Sequence, residues 1–358
     1  MELILANKDR FDAIRLDESA TIDVEIGGQN DLELKIYRSE YSEIINAIHL
    51  NGASAQMSIA GDMYNASVVY SPGTEYGGFL GEINTDTTLD TITFKGYTFR
   101  GYLTKKIIEP PQGADYKTVS GELNSVLADL VDEAEMQPAF QVPKASTGVS
   151  VTNFQFDRYC TFLDGVTKML KSKNYKLKLT YIQQDSSGGI ISAEPGYVQI
   201  EAVPIVDYSS EIELSQNSRL NFNLQETCNG INRLICLGKG ELKDRVVLNL
   251  YATKEGEIST IQDTQYTGIG EIAEVYDYSS AEDENALKTA GEEKLKELMN
   301  KSAFEMDVET LDIDVNIGDI VGGRDYLTGL YMAKPVERKI WRVENGVPTI
   351  EYKLEGQS

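Results

Sequence analysis

The chain has 358 residues, room for two to three domains at about 150 residues each, and its 41% hydrophobic content can fill sizeable cores. Its 33 Lys+Arg against 57 Asp+Glu leave a formal charge of −24. That excludes a broad duplex-binding surface, because phosphate binding needs a basic face.

The first hundred residues read as β. Thr21–Ile26 and Asp31–Tyr37 alternate polar and apolar residues on either side of the turn Gly27-Gly28-Gln29-Asn30. Ile44–Gly52, which holds His49, reads as an apolar strand-like stretch. Gly78–Glu82 and Thr91–Lys95 follow as strands around a polar loop at Asn84–Asp90. Alternation of this kind buries one face and wets the other, as in a barrel or sandwich.

Composition changes at the linker Glu109-Pro110-Pro111-Gln112-Gly113. Val119, Leu123, Val126, Leu127, Leu130, Val131 and Ala134 then share one helical face, which Pro138 stops. A second helix is predicted from Tyr159, Phe162, Leu163, Val166, Met169 and Leu170. Strands Tyr175–Gln183 and Gly196–Val203, joined by a turn at Ser186–Gly189, complete an α+β module.

Strands return from Ile212, including Leu234–Leu237 and Arg245–Thr253 with a turn at Glu255-Gly256. Leu287, Gly291, Leu295 and Leu298 mark a further helix, with Ser280 and Asp283 resembling a capping box. Asn345-Gly346 is a hairpin signal between Lys339–Val343 and Thr349–Leu354. Thr91-Ile92-Thr93-Phe94-Lys95 echoes Thr349-Ile350-Glu351-Tyr352-Lys353, each the last strand of its β region. The expected fold class is mainly β with α+β insertions. It comprises an N-terminal β-barrel domain (1–108), an α+β module (109–208), a second β-barrel domain (209–275 and 303–358) and a helical insertion (276–302).

Motifs that carry chemistry are scarce. A single histidine, His49, cannot build zinc sites of two or three imidazoles, and no Gly-x-Ser-x-Gly accompanies it. Gly268-Ile269-Gly270-Glu271-Ile272-Ala273 fits a dinucleotide pattern on paper, but Val275-Tyr276-Asp277-Tyr278 follows where a helix should, so a glycine-rich turn is expected. Asp312-Ile313-Asp314-Val315-Asn316-Ile317-Gly318 has its glycine one position late for a calcium loop and fits a strand with one acidic face. Cys160, Cys228 and Cys236 match no zinc or redox spacing and read as core thiols. Lys168, Lys171, Lys173, Lys176 and Lys178 read as the solvated end of a helix. Arg338, Lys339 and Arg342 surround the only tryptophan, Trp341, and are the candidate contact with an acidic surface of a neighbouring subunit. No apolar run approaches the ~18 residues of a membrane span and no signal peptide opens the chain, so synthesis in the cytoplasm without membrane insertion is expected.

Three stretches resemble the tail hub proteins of bacteriophages and related tail-like particles. They are Pro72–Ile83 with Lys95–Leu103; Lys105–Pro111 with Val119-Ser120-Gly121-Glu122; and Ile317–Asp325 with the closing hairpin Ile340–Tyr352. The resemblance implies a homotrimeric two-barrel structural protein, without enzymatic activity or cofactor, at the distal end of a tail tube. It would adapt sixfold tube symmetry to a threefold tip. Its implied partners are further copies of itself, the tail tube and distal tail proteins, a spike, fibre or lysin protein, and DNA or a tape-measure protein passing through the channel. Its implied location is the virion tail. Other members continue into a fibre or lysin domain where this chain stops at Ser358, so neither receptor binding nor wall hydrolysis is expected. The alternatives are a cell-wall hydrolase acting through Asp or Glu and a carbohydrate-binding β module.

Overall fold

The computed structural model describes residues 2–7, 13–47, 67–183, 195–209, 213–214, 221–254, 256–262, 266–281, 283–300, 302–307, 315–324 and 327–354. His49, the turn at Ser186–Gly189 and the acidic stretch Asp312–Asp314 lie outside them. The chain opens with β1 (Ile4–Ala6), β2 (Ala13–Arg15), β3 (Thr21–Ile26), β4 (Asp31–Tyr37), α1 (Arg38–Ala47), β5 (Val68–Tyr70), β6 (Gly77–Asp86), β7 (Thr91–Thr98) and α2 (Phe99–Leu103). It continues through β8 (Thr118–Glu122), α3 (Leu123–Glu133), β9 (Phe140–Gln141), β10 (Ser150–Gln155), α4 (Phe162–Lys171), β11 (Tyr175–Ile182) and β12 (Tyr197–Pro204). After these come β13 (Glu213–Leu214), β14 (Asn221–Glu226), β15 (Arg233–Leu237), β16 (Val247–Ala252), β17 (Ile258–Ser259) and β18 (Ala273–Asp277). The last elements are α5 (Glu284–Leu298), β19 (Ser302–Asp307), β20 (Ile320–Arg324), β21 (Tyr331–Glu344) and β22 (Val347–Leu354). The fold is mainly β with helices, as the alternation predicts.

Two compact units result: Met1–Asn221 with Met306–Arg324 and Ala333–Glu355, and Phe222–Glu305 with Asp325–Met332 and Gly356–Ser358. The first unit is organised by an 11-stranded sheet in the order β13-β20-β21-β3-β4-β7-β6-β5-β1-β2, with β22 also paired to β21. Strands from the two ends of the chain thus meet: β21 runs antiparallel to β3, with Trp341 opposite Val24 and Arg342 opposite Asp23. The echoed segments, β7 and β22, belong to this same sheet. Its inner face buries Leu5, Ile22, Val24, Leu34, Ile36, Phe94 and Trp341.

A second core joins β5, β6 and α2 to the α+β module. Tyr70 stacks on Tyr181 at 3.9 Å, Tyr181 on Phe99 at 5.5 Å, and Phe99 meets Phe79 edge-on at 5.6 Å. Phe79 then reaches Phe140 at 5.8 Å. The module therefore does not hang from its linker. Its helices α3 and α4 pack the apolar faces Leu123–Val131 and Phe162–Leu170 into that shared core.

Several local expectations shift. Ile44 lies in helix α1 and not in a strand, because Tyr41 and Ile44, three apart, both turn toward the sheet core. Val119 fits the helical spacing but sits in β8, paired to β10 opposite Phe154; the helix starts only at Leu123, where the Glu122 side chain accepts the Ser125 N–H at 3.0 Å. Tyr159 precedes α4, whose N-cap is Thr161. The loop at Asn84–Asp90 shrinks to residues 87–90, since β6 runs on to Asp86, which accepts the Thr88 and Leu89 N–H groups.

In the second unit, β17-β16-β15-β18 form a four-stranded sheet with α5 on one face. Leu234, Cys236, Leu250, Leu287 and Leu295 make its core. Asp283, not Ser280, caps α5, accepting the Ala286 N–H at 2.7 Å. Gly268–Gly270 is a single turn leading into β18, in line with the turn reading. Among the described residues no helix is long and apolar enough to cross a membrane.

Candidate functional site

The penultimate strand β21 alternates, and that alternation separates the four candidate interface residues. Trp341 (0% exposed) and Lys339 (3%) point into the first unit. The Trp341 ring stacks on Tyr76 at 4.9 Å with planes 12° apart. The Lys339 ammonium sits 5.1 Å over the Tyr76 ring and 5.5 Å over Tyr352, its cross-strand neighbour on β22. Arg338 and Arg342 lie on the outer face. Arg342 bridges Asp23 at 2.8 Å and Glu351 at 3.2 Å, and Arg338 approaches Glu25 at 3.7 Å. The bond to Asp23 holds the Arg342 guanidinium above its ordinary range.

Around Tyr76 and Lys339 lies a buried ionic network. Arg100, in α2, donates to both Glu75 oxygens at 2.7 and 3.2 Å and to the Leu177 carbonyl at 3.0 Å. Lys176, on β11, pairs with Asp319, which is 1% exposed. Asp319 also accepts the N–H groups of Val206 and Asn316, each at 2.9 Å, so one carboxylate ties together three chain segments. Burial holds the Lys176 ammonium below the lysine range, opposed by its bond to Asp319. Lys176 thus departs from the solvated reading of the lysine run, which fits Lys171 and Lys173 on the surface.

This network meets two of the three stretches singled out above. Glu75 and Tyr76 come from Pro72–Ile83, Arg100 from Lys95–Leu103, and Asp319 from Ile317–Asp325, while Trp341 and Tyr352 belong to the closing hairpin. Gly78, in the first stretch, has backbone reasons of its own: a Cβ there would lie 2.1 Å from the Tyr97 carbonyl oxygen on β7.

An open cleft of about 500 Å³ adjoins the network, walled by Arg100, Lys168, Lys171, Lys176, Leu163 and Val336 among others. Its cations are largely spent within the chain: Arg100 on Glu75, Lys176 on Asp319, and Lys168 on Asp157 at 2.7 Å. The cleft is therefore balanced in charge and is not an anion trap. Among the described residues no group of three or more His, Cys, Asp or Glu side chains is placed to hold a metal ion. Cys236 is a core thiol and Cys160 is half-buried, whereas Cys228 is exposed, against the core reading.

No family model matches the chain, and no curated protein matches it. Solved structures do. The prophage tail protein gp18 from Listeria monocytogenes EGD-e is 13% identical, with 100% of this chain and 95% of that one covered at a TM-score of 0.45. The 43 kDa tail protein of prophage MuSo2 from Shewanella oneidensis is 9% identical, covering 99% and 98% at 0.47. A tail protein from Neisseria meningitidis MC58 is 13% identical, covering 99% and 97% at 0.46.

Proposed function

We propose that this chain is a structural hub protein closing the distal end of a phage or phage-like tail tube. The observation that carries the reading is the convergence of two of the three resembling stretches on one buried network. Glu75, Arg100, Asp319 and Trp341 are consumed in holding backbone segments together, which is what a scaffold asks of its polar residues. In this reading three chains form a ring, each contributing strands from its β regions (1–108, and 209–275 with 303–358). The six quasi-equivalent contacts match the tube above, and the threefold end below anchors a spike, fibre or lysin protein.

Charge fits this role. An acidic channel lets DNA or a tape-measure protein slide without sticking, and only charges within a Debye length of about 8 Å matter to it. Asp86 is a candidate for the wall, since backbone N–H bonds from Leu89 and Thr88 hold its carboxyl below the usual carboxylate range. Asp90, facing Arg38 at 3.8 Å, is another. The remaining proposed carboxylates, on Asp307–Asp314, lie beyond Asp307 outside the described residues. Arg338 and Arg342, on the outer face of β21, are the proposed contacts to a neighbouring acidic subunit. Electron microscopy of the purified protein, alone and with the tube protein, tests the reading. Threefold rings docking on tube ends are expected; monomers that ignore the tube would overturn it.

A further inference from the structure

The two-stranded ribbon of β8 and β10 carries a face built unlike the rest of this acidic chain. Its inner side packs Val119, Val151 and Phe154 onto a core of the first unit. Its outer side presents Thr118, Ser120, Asn153 and Gln155, all exposed. Thr118 stands opposite Gln155, and the Ser120 hydroxyl accepts the Asn153 N–H at 2.8 Å. The same pairing brings two tyrosines to one end of the ribbon, because Tyr116 precedes Thr118 and Tyr159 follows Gln155. Their side chains are 48% and 56% exposed.

Tyr159 is presented against its backbone preference. Its φ is 56°, in the left-handed region that a bulky residue rarely adopts, and Asn153 has a φ of 49°. Strain of this kind collects at binding sites. The Arg158 guanidinium lies 5.5 Å over the Tyr159 ring, which still has more than half its surface in water.

The chemistry of the face selects its occupant. No Asp or Glu occurs between Glu135 and Asp157, whereas the outer positions of β3 and β4 include Asp23, Glu25, Asp31, Glu33 and Lys35. Glu122, at the far end of the ribbon, is spent on the N–H groups of Ser125 and Thr147. Asp115 beside Tyr116 and Arg158 beside Tyr159 offset each other. The nearby lysines are used within the chain, Lys117 on Glu133 and Lys168 on Asp157. A nucleic acid or an acidic peptide therefore finds no cationic track here. A protein contact is organised round apolar groups that lose all their water, and no aliphatic side chain stands among the outer ribbon positions. What the face offers is hydroxyl and amide groups, which donate and accept, beside two flat apolar rings with hydroxyl tips. A pyranose sugar is the complement: uncharged, ringed with hydroxyls, and bearing C–H groups on its flat faces. We propose that the outer face of β8 and β10, with Tyr116 and Tyr159, binds an uncharged pyranose polysaccharide. The proposal stands on this surface and is independent of the tail reading.

A glycan array probed with the full chain, followed by calorimetric titration of the retained glycans, tests it. Retention on uncharged pyranose chains is expected, with a Kd at or below about 1 mM. Arrayed N-acetylated wall-type chains and plain hexose chains separate two sources of such a ligand, and retention on either supports the proposal. Tyr116→Ala and Tyr159→Ala should each weaken binding by about tenfold, as loss of an aromatic anchor does. Tyr37→Ala, at a similarly exposed ring on β4, should change it less than about twofold. All three are surface positions, so circular dichroism should be unaltered. Deuterium exchange should show protection of residues 116–122 and 150–159 on adding the glycan. A wild-type chain that retains no uncharged glycan, or only anionic ones, would overturn the proposal. So would undiminished binding by both ribbon tyrosine variants, or protection confined to other strands.

Discussion

Tyr76 and Trp341 lie face to face, 4.9 Å apart, although one precedes β6 and the other sits in the penultimate strand. The stack joins the N-terminal strands to the closing hairpin, with the Lys339 ammonium over the same tyrosine ring. Trp341→Ala should cost about 3–5 kcal/mol, the range for deleting a buried large aromatic. Trp341→Phe should cost less, about 1–2 kcal/mol, because among the described residues the buried Trp341 Nε1–H has no hydrogen-bond partner to lose. Chemical denaturation read by fluorescence and circular dichroism checks both. Equal losses would mean that the stack is not the source of the stability.

The Lys176–Asp319 pair invites a double-mutant cycle. Asp319→Ala strands a buried ammonium and two backbone donors, and should cost about 3–5 kcal/mol. Lys176→Met should cost less, since Asp319 keeps its N–H donors from Val206 and Asn316. The double variant should fall short of the sum of the singles, by a coupling of about 1–3 kcal/mol. Strict additivity would contradict the network described here.

Glu122 sets a pH dependence. Burial alone would push its carboxyl up, but hydrogen bonds from Thr147, Ser125 and Asn124 outweigh that and leave it below the usual carboxylate range. A carboxylate depressed on folding contributes stability that is present above its unfolded pKa and is lost as pH falls through the folded value. Glu122→Gln should therefore destabilise the protein by about 1 kcal/mol at pH 7 and flatten the acid limb of its stability curve. An unchanged acid limb would show that the Glu122 bonds are not formed in solution.

Sequence made some of this legible and hid the rest for physical reasons. The closing hairpin was readable because Asn345 and Gly346 both adopt positive φ, 51° and 74°, a conformation that few residue pairs favour. The helices α3, α4 and α5 were readable from their apolar spacing, though not their first residues. Val119 obeys the helical period by chance, and only the pairing of β8 with β10 assigns it to a strand. The ionic network was illegible. Glu75, Arg100, Lys176 and Asp319 are ordinary charged residues until the sheet brings them together, and nothing in their neighbours announces burial. The basic strip at β21 was visible as four residues within a run of five, but its division into inward Lys339 and Trp341 and outward Arg338 and Arg342 depends on partners far away in the chain.

A scaffold should not turn over substrate. The purified protein is expected to release neither sugar nor peptide from bacterial cell walls. Release that disappears on replacing one Asp or Glu pair would identify a hydrolase instead.

The central claim concerns location. A short epitope tag inserted in the exposed turn at residues 112–115, in a strain that produces the particle, allows gold-labelled antibody to be seen on individual tails by electron microscopy. Label confined to the distal end of the tube, in up to three copies per tail, is the predicted result. Label spread along the tube, found on the capsid, or missing from the particles would contradict it.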